Sequence, residues 1–194
     1  AAGLTLAFNS GAVIGGNFTY TNNTAGETGF GNLLYKTSIG GTININANFT
    51  TPNNFGLHRL VNQTNGGSIT VTNSRGFSVQ NDTLLLTVMS ITGYKGGQYG
   101  YLFNNAITGN VTIADDISFG GGYSTNIRSN IITGNSSFTI SGTNSFDEAD
   151  GAGFGNRYNG NVSFTGAGPA SMFIAYLDTL HCTGNVSINR TAAG

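Results

Sequence analysis

The chain has 194 residues and a net charge of −1; Gly, Asn, Thr and Ser supply 98 of the residues, and charged residues only 8%. Those four types are weak helix formers, which excludes a helical domain, while 38% hydrophobic and 11% aromatic content can bury a core and excludes a disordered chain. Seven scattered Lys and Arg make no basic face for nucleic acid, and no run of about 18 apolar residues is present to span a membrane as a helix.

The first predicted strand follows Gly16, as Gly-Asn-Phe-Thr-Tyr. Its phrase returns at Gly41 (Gly-Thr-Ile-Asn-Ile), Gly67 (Gly-Ser-Ile-Thr-Val), Gly109 (Gly-Asn-Val-Thr-Ile), Gly134, Gly160 and Gly184, and a degenerate copy is expected at Gly93 after Ile91-Thr92. Successive copies then stand about 25 residues apart. The exception is the step from Gly93 to Gly109, so one coil is expected to be short. Within the copies apolar residues alternate with Asn, Ser or Thr, as in Ile43/Ile45, Ile69/Val71 and Val111/Ile113. Period two marks a strand with one buried face. A second apolar patch follows later in the period, at Leu33–Tyr35, Leu57–Val61, Leu84–Val88 and Phe173–Leu177. Between patches, Gly and Asn suit sharp corners because they tolerate positive φ.

A unit of about 25 residues with two or three short strands matches one turn of a parallel β-helix. Hairpin sandwiches also give short strands but do not require one phrase at a fixed period. In such coils Asn17, Asn110, Asn135, Asn161 and Asn185 would stack at one corner as a structural ladder. The expected architecture is all-β: a single right-handed parallel β-helix (a solenoid) over 1–194, of about eight coils of about 25 residues, rising roughly 4.8 Å per coil. Ala1-Ala2-Gly3 lacks the basic and apolar regions of a signal peptide, and the chain is expected to be a segment of a longer repetitive one. Ten Asn-X-Ser/Thr sequons allow glycosylation without requiring it.

The second half resembles the very long repetitive cell-surface proteins of gliding and other Bacteroidota. The likeness rests on Asn159-Gly160-Asn161-Val162-Ser163-Phe164, the turn Gly166–Gly168, Phe173-Ile174-Ala175-Tyr176 and Thr183-Gly184-Asn185-Val186-Ser187-Ile188. It covers residues 107–194 and is fainter over 1–106. The resemblance implies export by the type IX route and adhesion or gliding-motility roles, and it brings no catalytic residues.

Few residues carry chemistry. Asp147, Glu148 and Asp150, followed by Gly151, form a candidate calcium loop, though the spacing is not that of an EF-hand and a solvated turn explains it as well. Asp115-Asp116 has no partner for a general acid–base pair about 25 residues away, at Ser90-Ile91 or Ser141-Gly142; Asp116 and Arg128 could meet across a coil, which a corner salt bridge explains as well. His58 and His181 have no acid and nucleophile beside them that would form a triad, and Cys182, the only cysteine, reads as a small apolar filler. Thr-X-Thr pairs occur only at Thr19/Thr21 and Thr70/Thr72, too few for an ice-binding face. Tyr94, Tyr99, Tyr101 and Phe103 crowd the irregular coil, with Lys95 and several glycines between them, and are the candidate contact for a carbohydrate or partner, with core packing as the competing role.

The expected function is a non-catalytic structural or adhesive segment of a secreted, extracellular cell-surface fibre or adhesin. Its partners would be further coils of the same chain or neighbouring subunits, surface glycans or a secretion machinery, with no nucleic acid, no membrane insertion and no cofactor beyond the candidate calcium. A secreted carbohydrate-active β-helix enzyme and a self-assembling filament subunit are the alternatives.

Overall fold

The computed structural model describes residues 8–9, 12–22, 34–47, 54–58, 67–72, 76–94, 100–115, 124–140, 145–148, 153, 155–167, 171–175 and 178–191. Among these residues there is no helix, hence none long and apolar enough to cross a membrane. Every described strand pair is parallel, and neighbours follow chain order, so the fold is a parallel β-helix.

Each coil has up to three faces. The first is an eight-stranded sheet: Phe8–Asn9, Leu34–Tyr35, Asn54–His58, Gly76–Gln80, Gly100–Phe103, Ser124–Arg128, Ser145–Glu148 and Ser171–Phe173. A short second face holds Ile131–Thr133, Arg157–Tyr158 and His181–Cys182, and near the other end Val13–Ile14 pairs with Ser38–Ile39. The long third face runs through Phe18–Asn22, Ile43–Ala47, Gly67–Thr72, Thr83–Tyr94, Ala106–Asp115, Ser136–Ile140, Val162–Ala167 and Val186–Thr191. In Thr83–Tyr94 and Ala106–Asp115 the second and third faces fuse into one strand, with a register shift between Leu85 and Val88.

The alternation read from the sequence becomes columns of inward side chains. One column runs Phe18, Ile43, Ile69, Met89, Val111, Ser136, Val162 and Val186, and its neighbour runs Tyr20, Ile45, Val71, Ile91, Ile113, Phe138, Phe164 and Ile188. Most members are buried. Toward the later coils the interior is filled by rings: Phe138 lies 5.5 Å from both Phe146 and Phe164, and Tyr158 meets Phe164 edge-on at 6.4 Å. Such offset and edge-on pairs are the geometries that aromatic quadrupoles favour.

The register corrects one expectation. Gly93 does not open a coil; it sits near the end of Thr83–Tyr94, just past the pairing of Thr92 with Ala114. Ile69 pairs with Met89, and Met89 in turn with Val111. Two successive coils are therefore each moderately short, in place of the single much shorter one expected between Gly93 and Gly109. Leu84–Val88 likewise belongs to the corner entering the long sheet. The member of the eight-stranded sheet in that coil is Gly76–Gln80.

Candidate functional site

Two corners of the coil are built on asparagine. At the exposed corner, Asn110 Oδ1 accepts the main-chain N–H of Asn135 (2.9 Å), Asn135 that of Asn161 (3.0 Å) and Asn161 that of Asn185 (2.9 Å). Asn17 stands apart at the other end, where its Oδ1 accepts the N–H of Thr42. The glycines of this phrase are required by space: a Cβ on Gly134 or Gly160 would strike the carbonyl oxygen of Gly109 or Gly134 in the coil before. The Gly-Asn phrase thus closes a corner, its glycine admitting the neighbouring backbone and its amide satisfying it.

The second column is buried. Asn105, Asn130 and Asn156 are at most 3% exposed. Asn105 Oδ1 accepts from Asp82 N (2.9 Å), Asn130 Oδ1 from Asn105 N (3.1 Å) and Asn156 Oδ1 from Asn130 N (2.9 Å). Their Nδ2 groups donate to the carbonyls of Val79, Leu102 and Ile127. Asn81, Asn104 and Ser129, which precede Asp82, Asn105 and Asn130, take φ of 58°, 55° and 55°. Each of these corners is a left-handed residue followed by an inward polar side chain. This column is not among the sequence expectations, although Asp82, Asn105, Asn130 and Asn156 recur at the period of the repeat, each two residues before a buried apolar or aromatic side chain.

The buried column ends on a carboxylate. Asn156 Nδ2 also donates to Glu148 Oε1 (2.8 Å), and Ala175 N donates to Oε2 (2.8 Å). Glu148 is fully buried and stands on the rung after Ile127, in an inward column otherwise formed by Leu34, Val79 and Leu102. Burial lifts its carboxyl above the ordinary 4.5; the hydrogen bonds from Asn156 and Ala175 oppose this, and the nearby charge of Asp178 adds to it. Burial, then the Glu148 charge, pushes the Tyr158 phenol well above 10.0. This placement separates the calcium candidates. In Ser145–Glu148 the alternation turns Asp147 outward and Glu148 into the core, so the two do not converge on one ion, and Asp150 lies outside the described residues. Among the described residues no three His, Cys, Asp or Glu side chains are grouped to hold a metal.

The outward faces differ in chemistry. On the long sheet one column reads Thr19, Asn44, Thr70, Ser90, Thr112, Ser137, Ser163, Ser187 and the next Thr21, Asn46, Thr72, Thr92, Ala114, Thr139, Thr165, Asn189. Both columns contain no charged residue and no ring. On the eight-stranded sheet the columns read Ser78, Tyr101, Asn126, Asp147, Phe173 and Gln80, Phe103, Arg128. Gln80, Tyr101, Phe103, Asn126 and Arg128 line a shallow hollow of about 170 Å³. Arg128 donates to Asn126 Oδ1 (2.8 Å) and Gln80 Nε2 to Ser78 Oγ (2.6 Å), which fixes both side chains. Of the candidate contact residues, Tyr101 and Phe103 are in this hollow, Tyr99 lies outside the described residues, and Tyr94 is placed in its strand by backbone alone. Gln80 and Arg128 are not among those candidates, because they come from the coils on either side of Phe103, a full period away in the chain. His181 is exposed beside Arg157, and Cys182 is half-buried with its thiol on the Gly160 carbonyl.

No protein-family model, curated protein or solved structure matches the chain.

Proposed function

We propose that the protein is a non-catalytic structural and adhesive segment of a secreted cell-surface fibre. The carrying observation is the parallel stacking of eight rungs, closed at one corner by exposed and at another by buried asparagine columns. A rod in which each coil's backbone bonds to the next resists bending and needs no separate core per repeat. Its long outward face of Ser, Thr and Asn is hydrated and uncharged, as suits a surface exposed outside a cell. The likeness of residues 107–194 to the repetitive surface proteins of Bacteroidota supports export by the type IX route. Val186 and Ile188 stand 44% and 64% exposed on the last described rung, an edge that a further coil or a neighbouring subunit would cover.

Peptide mapping of source cells, with and without brief protease treatment of the intact cell surface, tests the proposal. Release of these peptides from intact cells, out of a band many times larger than this chain on a denaturing gel, is the expected result. Recovery only from lysed cells sinks it. A surface band no larger than this chain would favour the filament-subunit alternative.

A further inference from the structure

We propose that the hollow between Tyr101 and Phe103, on the outward face of the eight-stranded sheet, holds one neutral sugar unit of a polysaccharide chain. It rests on the non-catalytic role above in one respect: the sugar is held and not cleaved.

Three features point to this ligand. Tyr101 and Phe103 are two residues apart on one strand, so both rings lie on the same outward face, and both are half-buried with surface left to cover. A flat apolar surface ringed by hydrogen-bonding groups matches a pyranose, whose C–H face is apolar and whose rim is hydroxyl. Second, the polar groups at the rim are held before any ligand arrives. Arg128 is aligned by its bond to Asn126 Oδ1, and the Asn126 amide is itself held by donating to Ser124 O (3.5 Å). Gln80 is anchored through Nε2 on Ser78, which leaves its carbonyl oxygen as an acceptor. A donor and an acceptor flanking aromatic faces serve a hydroxyl, which both gives and takes a proton. Third, the formal charges cancel: Arg128 stands on the rung next to Asp147, whose register partner is Asn126. With these opposite charges on neighbouring rungs, Arg128 is not a lone cation for an acidic sugar to pair with, so a neutral one fits better.

Size and surroundings agree. About 170 Å³ is space for about five or six waters, enough for one ring and too little for a folded partner's side-chain cluster. The hollow is open, so a polymer can enter it sideways. The long sheet's face has Ser, Thr or Asn on every coil but no ring to stack against, so it serves as an internal control.

The test is affinity electrophoresis of the full chain through gels containing a β-glucan, a xylan or a galactomannan, with alginate as the acidic contrast. Retardation by at least one neutral polymer and not by alginate is expected. Tyr101→Ala and Phe103→Ala should each weaken it about tenfold, while Ser137→Ala on the long sheet should leave it within about twofold. Because the chain has no Trp, a sugar-induced change in tyrosine fluorescence of the unmutated protein gives a second readout that does not depend on the variants folding. No retardation and no fluorescence change with any neutral polymer overturns the site, as does binding that survives both alanine variants or that favours alginate. Those results leave the fibre role standing. Shortened polymer chains after incubation would instead overturn the non-catalytic role while keeping the site.

Discussion

The exposed and buried asparagine columns use one side chain in opposite ways. At the exposed corner the amide oxygen of one coil accepts from the backbone of the next coil, as Asn135 does from Asn161. At the buried corner it accepts from the backbone of the coil before, as Asn130 does from Asn105, and its Nδ2 reaches back as well, to Leu102 O. The exposed amide replaces water on a backbone group that water could serve. The buried one satisfies groups that water does not reach, so the same residue carries very different weight in the two places.

Truncating one member of each column should show this most clearly. Asn130→Ala leaves the Asn105 N–H and the Leu102 carbonyl buried without this partner, and should cost about 3 to 4 kcal/mol. Asn135→Ala, its exposed counterpart, should cost about 1 kcal/mol, because the Asn161 N–H turns to solvent. Urea unfolding of the two variants measures the gap, and equal losses would break the distinction.

The exposed corner should depend more on its glycine than on its asparagine. Gly134 sits at φ +146°, and a Cβ there meets the Gly109 backbone. Gly134→Ala is expected to cost about 2 to 3 kcal/mol, more than Asn135→Ala one residue later. A loss smaller than that of Asn135→Ala would show that the coils can separate locally at little cost.

At the end of the buried column, Glu148 gives the comparison a pH axis. The carboxyl titrates near 4.5 in the unfolded chain and higher when folded. Below 4.5 it is protonated in both states and its contribution is fully present. As pH rises from there through the folded value, the unfolded chain releases the proton first and stability falls. Glu148→Gln keeps an acceptor for Asn156 and removes the titration, so the variant should gain on the parent by a few degrees in melting temperature between about pH 4 and pH 8. A constant difference across that range would show that Glu148 does not carry the dependence.

Much of this is legible in the sequence. The Gly-Asn-Val phrase and the alternation behind it mark where most long-sheet strands begin and which residues turn inward, because a strand with one buried face leaves a period of two. The phrase misleads at Gly93. Where the two faces fuse in Thr83–Tyr94 the corner is made by a register shift near Leu86, with no glycine to mark it. The buried column is hidden for another reason: in a chain this rich in Asn, identity alone does not separate an inward amide from an outward one. What separates them is spacing: an inward amide stands two residues before a buried side chain, as Asn130 before Ile132, and an outward one directly before it, as Asn135 before Ser136. At Glu148 three neighbouring acids suggest a solvated surface turn. The strand's alternation, which splits Asp147 from Glu148, is the stronger local signal.

The smallest expected effect lies one residue beyond the exposed column. Ser136 follows Asn135 and points inward on the column of Val111 and Val162, 3% exposed, and its hydroxyl finds no hydrogen-bond partner. An unsatisfied buried hydroxyl costs free energy that a methyl group does not. Ser136→Ala should therefore stabilise the fold by about 0.5 to 1 kcal/mol, read as a melting temperature raised by about 1 to 3 °C. Ser136 and Asn135 are adjacent in sequence yet face opposite sides of the wall, so opposite signs for Ser136→Ala and Asn135→Ala would follow from the strand's period alone. Destabilisation by Ser136→Ala would mean that the hydroxyl is satisfied by a bound water, and that the interior at this coil is wetter than the apolar columns on either side imply.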